Sequence, residues 1–479
     1  MPFTHKEIEG YLSQSTAEAS RRIDYRRACS LIEVRLNDDM AAALGSADGL
    51  WRRTPYLAPV VEAIAAKLEV DDAKLRASKV RETKQIGAWL SDNHWTVLER
   101  DIFRAVVRDG ETFVLVKWTE NGPEYVQRDA YDGACGADLI EQNGVETMAF
   151  NAWKGDDGSF YLDLFLPDRI EKYSKKDSNG KWEPRKDAPD ELWPIPWVDD
   201  DGQPLGIPII EFCIGKSDLE DALQLARNLS EGELDMLAVS RTQGFPLRYL
   251  KGQRNPEILL NQEGQPIISP HTGRPFKRTI QFSPGQMMPI SAESEFGQLD
   301  GAKTDTAVID KILELISFVT TVPTFVLRGG DYPSGVALIE AERRLNHKVE
   351  GHQGKLTTAI VKMLQLTMRL SNYFARTVFD AVQTIDIPWC SPQVLTEDLR
   401  MEQEQHTTDN VTKLVEAHLM SKDTALRTLH PDWTDEAIQL ELDRLHTEQQ
   451  TMAVLQPAAQ QPTMQDMTPM MRGMVNATA

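Results

Sequence analysis

Residues 302–345, AKTDTAVIDKILELISFVTTVPTFVLRGGDYPSGVALIEAERRL, are the stretch that decides the fold. The first half has apolar residues at three- and four-residue spacing, which predicts an amphipathic helix. Pro323 is expected to end this helix, because its ring and missing N–H cannot continue the hydrogen-bond ladder. A breaker-rich segment follows, and Ser334 can cap a second helix. The predicted apolar face consists of Val308, Ile309, Ile312, Leu313, Ile316 and Val319.

The segment between the two predicted helices contains Arg-Gly-Gly-Asp-Tyr-Pro at 328–333. Two glycines and a proline so close together indicate irregular backbone. Such a segment suits a part that moves, or one that lines a passage. Asp331 could be a functional site residue or simply a residue that stabilises the turn, since aspartate readily hydrogen-bonds the backbone of its own turn.

The composition is close to that of an ordinary soluble protein. The chain has 479 residues, 41% apolar and 26% charged, and this length suits about three domains. We find no signal peptide and no apolar run long enough to cross a membrane. The four cysteines are far apart and form no CxxC pair, so we expect no disulfide framework and a reducing compartment. They are Cys29, Cys135, Cys213 and Cys390.

The net charge of −21 leaves two interpretations open. Acidic chains are commonly acidic for solubility. A protein that grips DNA instead neutralises phosphates with Lys and Arg. Under the second interpretation, the protein lines a passage and its acidic charge prevents it from binding what moves through. Charge alone does not decide between the two.

The N-terminal part has a helical pattern that changes to a strand pattern after Gly110. Segments 16–36, 56–70 and 82–108 have apolar residues at helical spacing. Gly110 should end the last of these helices. Strand 112–118 and the Asn-Gly turn at 121–122 then predict an antiparallel hairpin. Further strands are predicted at 147–153 and 160–166 and around Tyr173, so the fold class is α+β.

The rest of the chain alternates between helices and short strands. Ser217 to Glu220 has the spacing of a capping box for a helix at 218–243. Gly351 and Gly354 should kink the long second helix, which is predicted at 336–382. The other expected elements are a surface excursion at 185–208, strands at 207–212 and 384–389, short strands within 244–300, helices within 396–446 capped by Thr396, Ser421 and Thr434, and a flexible tail at 450–479.

Several segments resemble the portal proteins of tailed bacteriophages. The clearest pattern is ID…I…P……SGVAL within 302–345. FRAVVRDGETFVLV (103–116) is similar to a helix that runs into a portal wing hairpin, and GIPIIEF (206–212) is similar to the passage from wing to stem. The order and spacing of these and other segments extend the resemblance over most of the chain. The Trp-rich stretch 187–198 departs from the family pattern.

The resemblance implies a portal fold with a helical and β-hairpin wing, a helical stem, a small β-containing clip, a long wing helix and a helical crown. The implied bounds are 1–215 for the wing, 216–243 for the first stem helix, 244–301 for the clip, 302–322 for the second stem helix, 323–334 for the tunnel loop, 335–390 for the long wing helix and its return, 391–446 for the crown and 447–479 for the flexible tail.

The resemblance also implies function. A portal is a non-enzymatic ring, expected to be a dodecamer, at one capsid vertex of the virion, and it is assembled in the host cytoplasm. Double-stranded DNA passes through its channel during packaging and ejection. The implied partners are further copies of the chain, the terminase large subunit, head-completion or adaptor proteins, and the major capsid and scaffolding proteins, with no membrane. The implied tunnel-loop residues are Thr324, Arg328, Gly329, Gly330, Asp331, Tyr332 and Ser334.

Basic residues cluster in two further places. The first cluster is either a solvated helix face or, in a ring, a set of basic belts around the channel that contact DNA weakly. It consists of Arg328, Arg343, Arg344, Lys348 and Lys355. Arg274, Lys277 and Arg278 in the implied clip are either a DNA contact or a docking patch for an acidic partner.

The remaining motifs do not indicate catalysis, a metal or a cofactor. Gly215-Lys216-Ser217 stands where a P-loop would, but Ile210 occupies the position of the required first glycine. His347 and His352 are five residues apart, whereas metal-binding helix pairs prefer four. The cysteines suit buried packing better than nucleophiles. A P-loop-like nucleotide hydrolase and a monomeric adaptor stay open as alternatives.

Overall fold

The structure is a computed structural model, and its contacts divide the chain into two compact units, 1–393 and 394–479. No helix in the described part of the chain combines the length and apolar character of a membrane span. The described residues are 2–244 except 45 and 47, 247–251, 261–268, 275, 287–290, 296–299, 307–329, 335–393, 397–417, 419–430, 433, 438–445 and 447.

The chain begins with helices α1 (His5–Ser15) and α2 (Ala19–Ala28). Thr4 and Glu7 form a capping box at α1, which satisfies two backbone donors. The helix predicted over 16–36 is wrong beyond Ala28, because a β-branched segment there forms a hairpin arm instead. The arm consists of β1 (Ile32–Arg35), α3 (Asp38–Leu44) and β2 (Leu50–Arg53).

The helix predicted over 82–108 is two helices, α5 (Val80–Asp92) and α6 (Trp95–Asp109). The break occurs at Asn93 and His94, where His94 has a left-handed φ of 50°. The Asn93 amide donates to the Trp89 and Pro123 carbonyls, so it ends α5 and fixes a neighbouring hairpin. The preceding elements are α4 (Ala58–Ala65) and β3 (Arg76–Ala77).

Gly110 ends α6 as predicted, with φ of 90°. The chain then enters the predicted hairpin, β4 (Glu111–Thr119) and β5 (Gly122–Asp129). A later strand, β12 (Ile209–Cys213), pairs with the other side of β4 and completes a three-stranded antiparallel sheet.

A second antiparallel sheet contains the other predicted hairpins. It adds three strands, β6, β10 and β11, that the sequence pattern missed, and α1 packs Ile8 and Leu12 against the sheet. Its strands are β6 (Gly136–Gln142), β7 (Val145–Lys154), β8 (Phe160–Phe165), β9 (Arg169–Lys175), β10 (Glu183–Pro184) and β11 (Ile195–Pro196).

The predicted capping box at Ser217 does not form. Ser217 Oγ accepts from the Leu219 N–H, two residues on, and donates to the Arg108 carbonyl. A 3-10 turn at Glu220–Ala222 therefore precedes helix α7 (Leu223–Gly244). The short strands predicted within 244–300 are present as β13 (Leu247–Lys251), β14 (Met287–Ile290) and β15 (Phe296–Leu299).

The deciding stretch forms helices α8 (Ala307–Thr320), α9 (Thr324–Arg328) and α10 (Gly335–Phe374). The predicted kink is wrong, because α10 continues through Gly351 and Gly354. Its flanking turns pack into the core through Val349 and Leu356, both fully buried, and this packing outweighs the cost of two glycines. Leu313 and Ile316 of α8 join the same core.

Strand β16 (Ile385–Asp386) pairs with β3 and ends the first unit. The second unit contains α11 (Glu397–Glu416) and α12 (Lys422–Leu429). Ser421 caps α12 as predicted, because its side chain accepts from the Thr424 N–H. Thr396, Thr434 and the predicted tail at 450–479 lie outside the described residues.

Candidate functional site

The candidate site is the segment between α8 and α10. Helix α8 stops at Thr320, and Thr321 has a left-handed φ of 65°. Pro323 is the N-cap of α9 with extended backbone, φ −58° and ψ 143°. Residues 324–328 are helical, within the tunnel loop that the resemblance implies at 323–334. Proline suits this place because it breaks the incoming helix and has no N–H to leave unpaired.

Arg328 does not extend away from the protein. Its Nη2 lies 3.0 Å from Asp310 Oδ1, so the end of α9 folds back towards the first turn of α8. Both side chains are about half exposed, with 40% and 54% of their surface accessible. An ion pair this exposed contributes at most about 1 kcal/mol, so it orients α9 more than it stabilises the fold.

Gly329 ends α9 in a conformation that strongly favours glycine, with φ 59° and ψ 153°. Its N–H donates to the Phe325 carbonyl at 3.1 Å. A Cβ added here would meet no atom within 4 Å, so the requirement for glycine comes from the backbone and not from packing.

Thr324 opens α9 and is half-buried. The other implied tunnel-loop residues, Gly330, Asp331, Tyr332 and Ser334, lie outside the described residues. The implied clip residues Arg274, Lys277 and Arg278 lie outside them as well.

A groove of about 1160 Å³ separates α8 and α9 from the first part of α10. Its walls have both signs of charge, with Arg343 and Arg344 near Glu314 and Glu350. Phe318 also lines the groove and is 70% exposed. The mixed charge makes it a poor cradle for a polyanion.

Two of the five basic residues predicted as belts have structural roles instead. Lys348 Nζ lies 2.9 Å from Asp218 Oδ1 and 2.9 Å from the Thr320 carbonyl oxygen. Lys355 Nζ donates to the Ile214 carbonyl at 2.5 Å. Both side chains hold α10 against the turn before α7, whereas Arg343 and Arg344 stay exposed.

His352 belongs to the same junction. Its Nε2 lies 2.9 Å from Asp218 Oδ2, and both side chains are almost buried. Burial alone would raise the pKa of Asp218, but His352 and Lys348 outweigh burial, so the pKa lies below its usual value. Sequence spacing offered one signal, since Lys348 and His352 are four residues apart on one helix face. Their shared partner lies too far away in sequence to be found by spacing.

Three possible metal ligands meet beside this region. Among the described residues, Glu111, Glu211 and Cys213 place ligand atoms within 4.8 Å of one another. The Arg22 guanidinium pairs with Glu111 and supplies positive charge there. Burial raises the pKa of Glu111 to about 7, against the opposing effect of Arg22. Arg22 thus already takes the place of a cation at this cluster.

The cysteines are half-buried, not buried as the sequence suggested, and none forms a disulfide. Burial raises the pKa of the Cys29 thiol to about 12 and that of Cys213 to about 11. Because the thiolate is the reactive form, these environments disfavour a nucleophile.

Comparison with solved structures found similarities at low identity. The neck of an empty gene transfer agent (GTA) particle, computed with C6 symmetry, matches with a TM-score of 0.40 and 13% identity. The match covers 83% of this chain and 95% of that chain. The virion of a native GTA particle has a TM-score of 0.37 and 15% identity, covering 86% and 98%. The neck of a native GTA particle computed with C12 symmetry has a TM-score of 0.39 and 13% identity, covering 85% and 98%. No curated protein matches the sequence.

The family comparison is more specific. Residues 66–453 match the family described as phage portal protein, SPP1 Gp6-like. This span includes the two hairpin sheets after Gly110, the deciding stretch 302–345 and helices α11 and α12 of the second unit. The chain therefore belongs to the SPP1 Gp6-like family of phage portal proteins.

Proposed function

We propose that the chain assembles into a closed ring, a dodecamer, that gives double-stranded DNA its passage into and out of the phage capsid. The observation that carries the proposal is the family match over 66–453. In this proposal the ring sits at the portal vertex of the virion after assembly in the host cytoplasm. In this proposal the protein acts as a channel for DNA and as a docking platform, not as a catalyst.

The exposed side of α8 supports ring formation. Val308, Leu315 and Phe318 lie on one face of the helix and are 57%, 40% and 70% exposed. The opposite side, with Leu313 and Ile316, is already buried in the subunit. Exposed apolar residues opposite the buried side of a helix favour a second partner, and a neighbouring copy in a closed ring would supply it.

The charges near the candidate loop support weak DNA contact. Arg343 and Arg344 are exposed, but Glu340 and Glu350 lie beside them on the same helix. The net charge of −21 adds repulsion at longer range. A duplex would thus meet few cationic side chains that bind its phosphates, so it could slide without being bound tightly.

We also propose binding partners for the ring, on the basis of the family to which the chain belongs. The clip, with Arg274, Lys277 and Arg278, would dock the terminase large subunit during packaging. Head-completion or adaptor proteins would replace it afterwards. The major capsid and scaffolding proteins would contact the outer part of the ring. Hydrolysis of ATP would belong to the terminase.

The turn at 213–217 argues against the alternative nucleotide hydrolase. The Lys216 ammonium lies 3.0 Å from Asp221 and 3.6 Å from Glu220, so carboxylates occupy the place of a phosphate. The Ser217 backbone nitrogen would lie 2.7 Å from a Cβ on Gly110, which shows how closely this turn packs on Gly110. Such a turn leaves no open nest of N–H groups for a phosphate.

Native mass spectrometry of the purified chain tests the proposal. We expect a single closed oligomer with about twelve times the subunit mass, since the proposed ring is a dodecamer. Monomer alone over a broad concentration range would support the monomeric adaptor instead. ATP binding by the purified chain, measured in parallel, would support the hydrolase.

A further inference from the structure

One stretch of the chain opposes its overall charge. Residues 172–186, KYSKKDSNGKWEPRK, hold six Lys or Arg and only two Asp or Glu, in a chain with a net charge of −21. The stretch is the β9–β10 hairpin at the edge of the six-stranded sheet. It lies in neither the stem nor the candidate loop.

The hairpin places its cations in a defined pattern. Ser174 pairs with Glu183, and the Gly180 N–H donates to the Asp177 carbonyl at 3.1 Å, which closes the turn. Lys176 directly follows β9, and Lys181 lies on the other side of the turn, two residues before β10.

Other cations of the hairpin are already neutralised inside the subunit. Lys172 lies 2.5 Å from Asp187 and 2.7 Å from Glu191, and Arg185 lies 2.8 Å from Asp163. The Lys175 ammonium lies 4.5 Å from the centre of the Trp182 ring.

Three lysines of the same hairpin differ from these. Lys176, Lys181 and Lys186 are exposed, and no carboxylate in the described part of the chain lies within ion-pair distance of any of them. They are available to a partner from outside the subunit.

An aromatic pair lies beside the hairpin. The rings of Trp153 and Tyr161 stack at 5.4 Å with an angle of 19°. The Arg185 guanidinium lies over both, 5.3 Å and 5.0 Å from the ring centres. Tyr161 pairs with Ser174 across the strands, so the stack lies in the same cross-strand row as the hairpin. Both rings are half-buried.

We propose that this surface docks an acidic polypeptide segment of a partner protein. We call it the wing hairpin surface, and it consists of Trp153, Tyr161, Lys176, Lys181 and Lys186. The three free lysines would pair with carboxylates of the partner. The stacked rings would offer apolar area, since Trp, Tyr and Arg are enriched where proteins meet.

A polypeptide fits this surface better than DNA does. Asp163, Glu183 and Asp187 lie among the cations of the hairpin and would repel a continuous row of phosphates. Three free lysines also fall short of the roughly 6–10 phosphate contacts that give a strong electrostatic grip on a duplex. A polypeptide can place its carboxylates selectively and leave neutral residues opposite the acidic ones.

Fluorescence anisotropy with the full-length protein tests the proposal. The probes are a fluorescein-labelled peptide of alternating Glu and Gly residues and, in parallel, a labelled DNA duplex, both at low salt. We expect the wild type to bind the peptide more tightly than the duplex. Changing Lys176→Glu, Lys181→Glu and Lys186→Glu together should weaken peptide binding by about tenfold or more.

The matched control is Lys84→Glu with Arg100→Glu and Lys117→Glu. These residues are exposed, belong to the same unit and change the net charge by the same amount. We expect this variant to weaken peptide binding by less than about twofold, since general charge acts only at a distance. The corresponding Lys→Gln triple at the hairpin serves as a milder second variant with smaller risk to folding.

Three results would overturn the proposal. The first is no peptide binding by the wild type. The second is an equal loss of binding in the hairpin and control variants, which would indicate general charge. The third is tighter binding of the duplex that disappears in the hairpin variants, which would make the surface a DNA contact.

Discussion

The ammonium of Lys348 lies 2.9 Å from the carboxylate of Asp218, where the chain enters the turn before α7. The same ammonium donates to the Thr320 carbonyl at the end of α8, also at 2.9 Å. One side chain of α10 thus ties together three segments far apart in sequence. His352 completes the junction from the other side of the Asp218 carboxylate. The position of α8, and with it the start of the candidate loop, therefore depends on this buried charge cluster.

Asp218→Asn should destabilise the subunit by about 3 kcal/mol, because it leaves a nearly buried ammonium without its countercharge. Urea unfolding followed by tryptophan fluorescence measures the loss. Glu314→Gln is the control, since the Lys311–Glu314 pair on α8 is exposed and should contribute less than about 0.5 kcal/mol. Equal shifts in the two variants would show that the junction does not stabilise the fold.

Glu99 should make stability fall with rising pH. Burial raises its pKa from 4.5 to about 7, although the Val70 N–H opposes the shift. The folded state therefore holds the proton more tightly than the unfolded state, and stability decreases as pH rises from about 4.5 to about 7.

Glu99→Gln removes this titration. The stability of the variant relative to the wild type should rise by about 2 kcal/mol between pH 5 and pH 8. Urea midpoints at the two pH values measure it. A difference that stays constant with pH would mean that Glu99 titrates normally.

Phe318→Asp should weaken ring assembly while leaving the subunit folded. The side chain is 70% exposed, so the subunit should lose little stability, whereas a neighbouring copy would lose an apolar contact and gain a charge. Val378→Asp is the control, because Val378 is 88% exposed but lies outside α7 and α8. Sedimentation at matched concentrations should show rings for the control and smaller species for Phe318→Asp. Full rings in both would move the interface away from this face of α8.

Gly329→Pro combined with Gly330→Pro should leave ring yield nearly unchanged and sharply reduce DNA packaging. Proline fixes φ near −65°, but Gly329 has φ 59° and uses its N–H to close α9. The change therefore alters the path of the loop without touching the core. DNA content per capsid, compared with ring yield, measures the effect.

Gly202→Pro is the matched control for this loop variant. Gly202 is also exposed, has φ 77° and donates its N–H within a turn, to the Asp199 carbonyl. Normally filled capsids from the loop variant would mean that the loop is only a connector. A collapse of ring yield in the loop variant alone would make it a structural turn.

Local patterns predicted much of the fold. Gly110, the Asn121-Gly122 turn and the apolar face of α8 each depend on neighbouring residues, and each is present, although Val308, predicted on that face, is 57% exposed. The errors arose where distant contacts decide. Val349 and Leu356 pack well enough to keep α10 continuous through two glycines. The Ser217 hydroxyl donates a hydrogen bond to the Arg108 carbonyl instead of forming the expected capping box.

The candidate site was predictable in position but not in detail. The sequence identified the breaker-rich segment after Pro323, and the Arg328–Asp310 pair then showed how α9 folds back. Lys348 and Lys355 looked like free cations because their partners, Asp218 and the Ile214 carbonyl, lie more than a hundred residues away. Spacing rules cannot reach such pairs.

End-on electron micrographs of the purified full-length protein would show directly whether it forms a ring with a channel. We expect closed rings of a single rotational symmetry, consistent with twelve subunits, with an open centre wide enough for a duplex. Compact particles without a central opening, or monomers at every concentration, would contradict it.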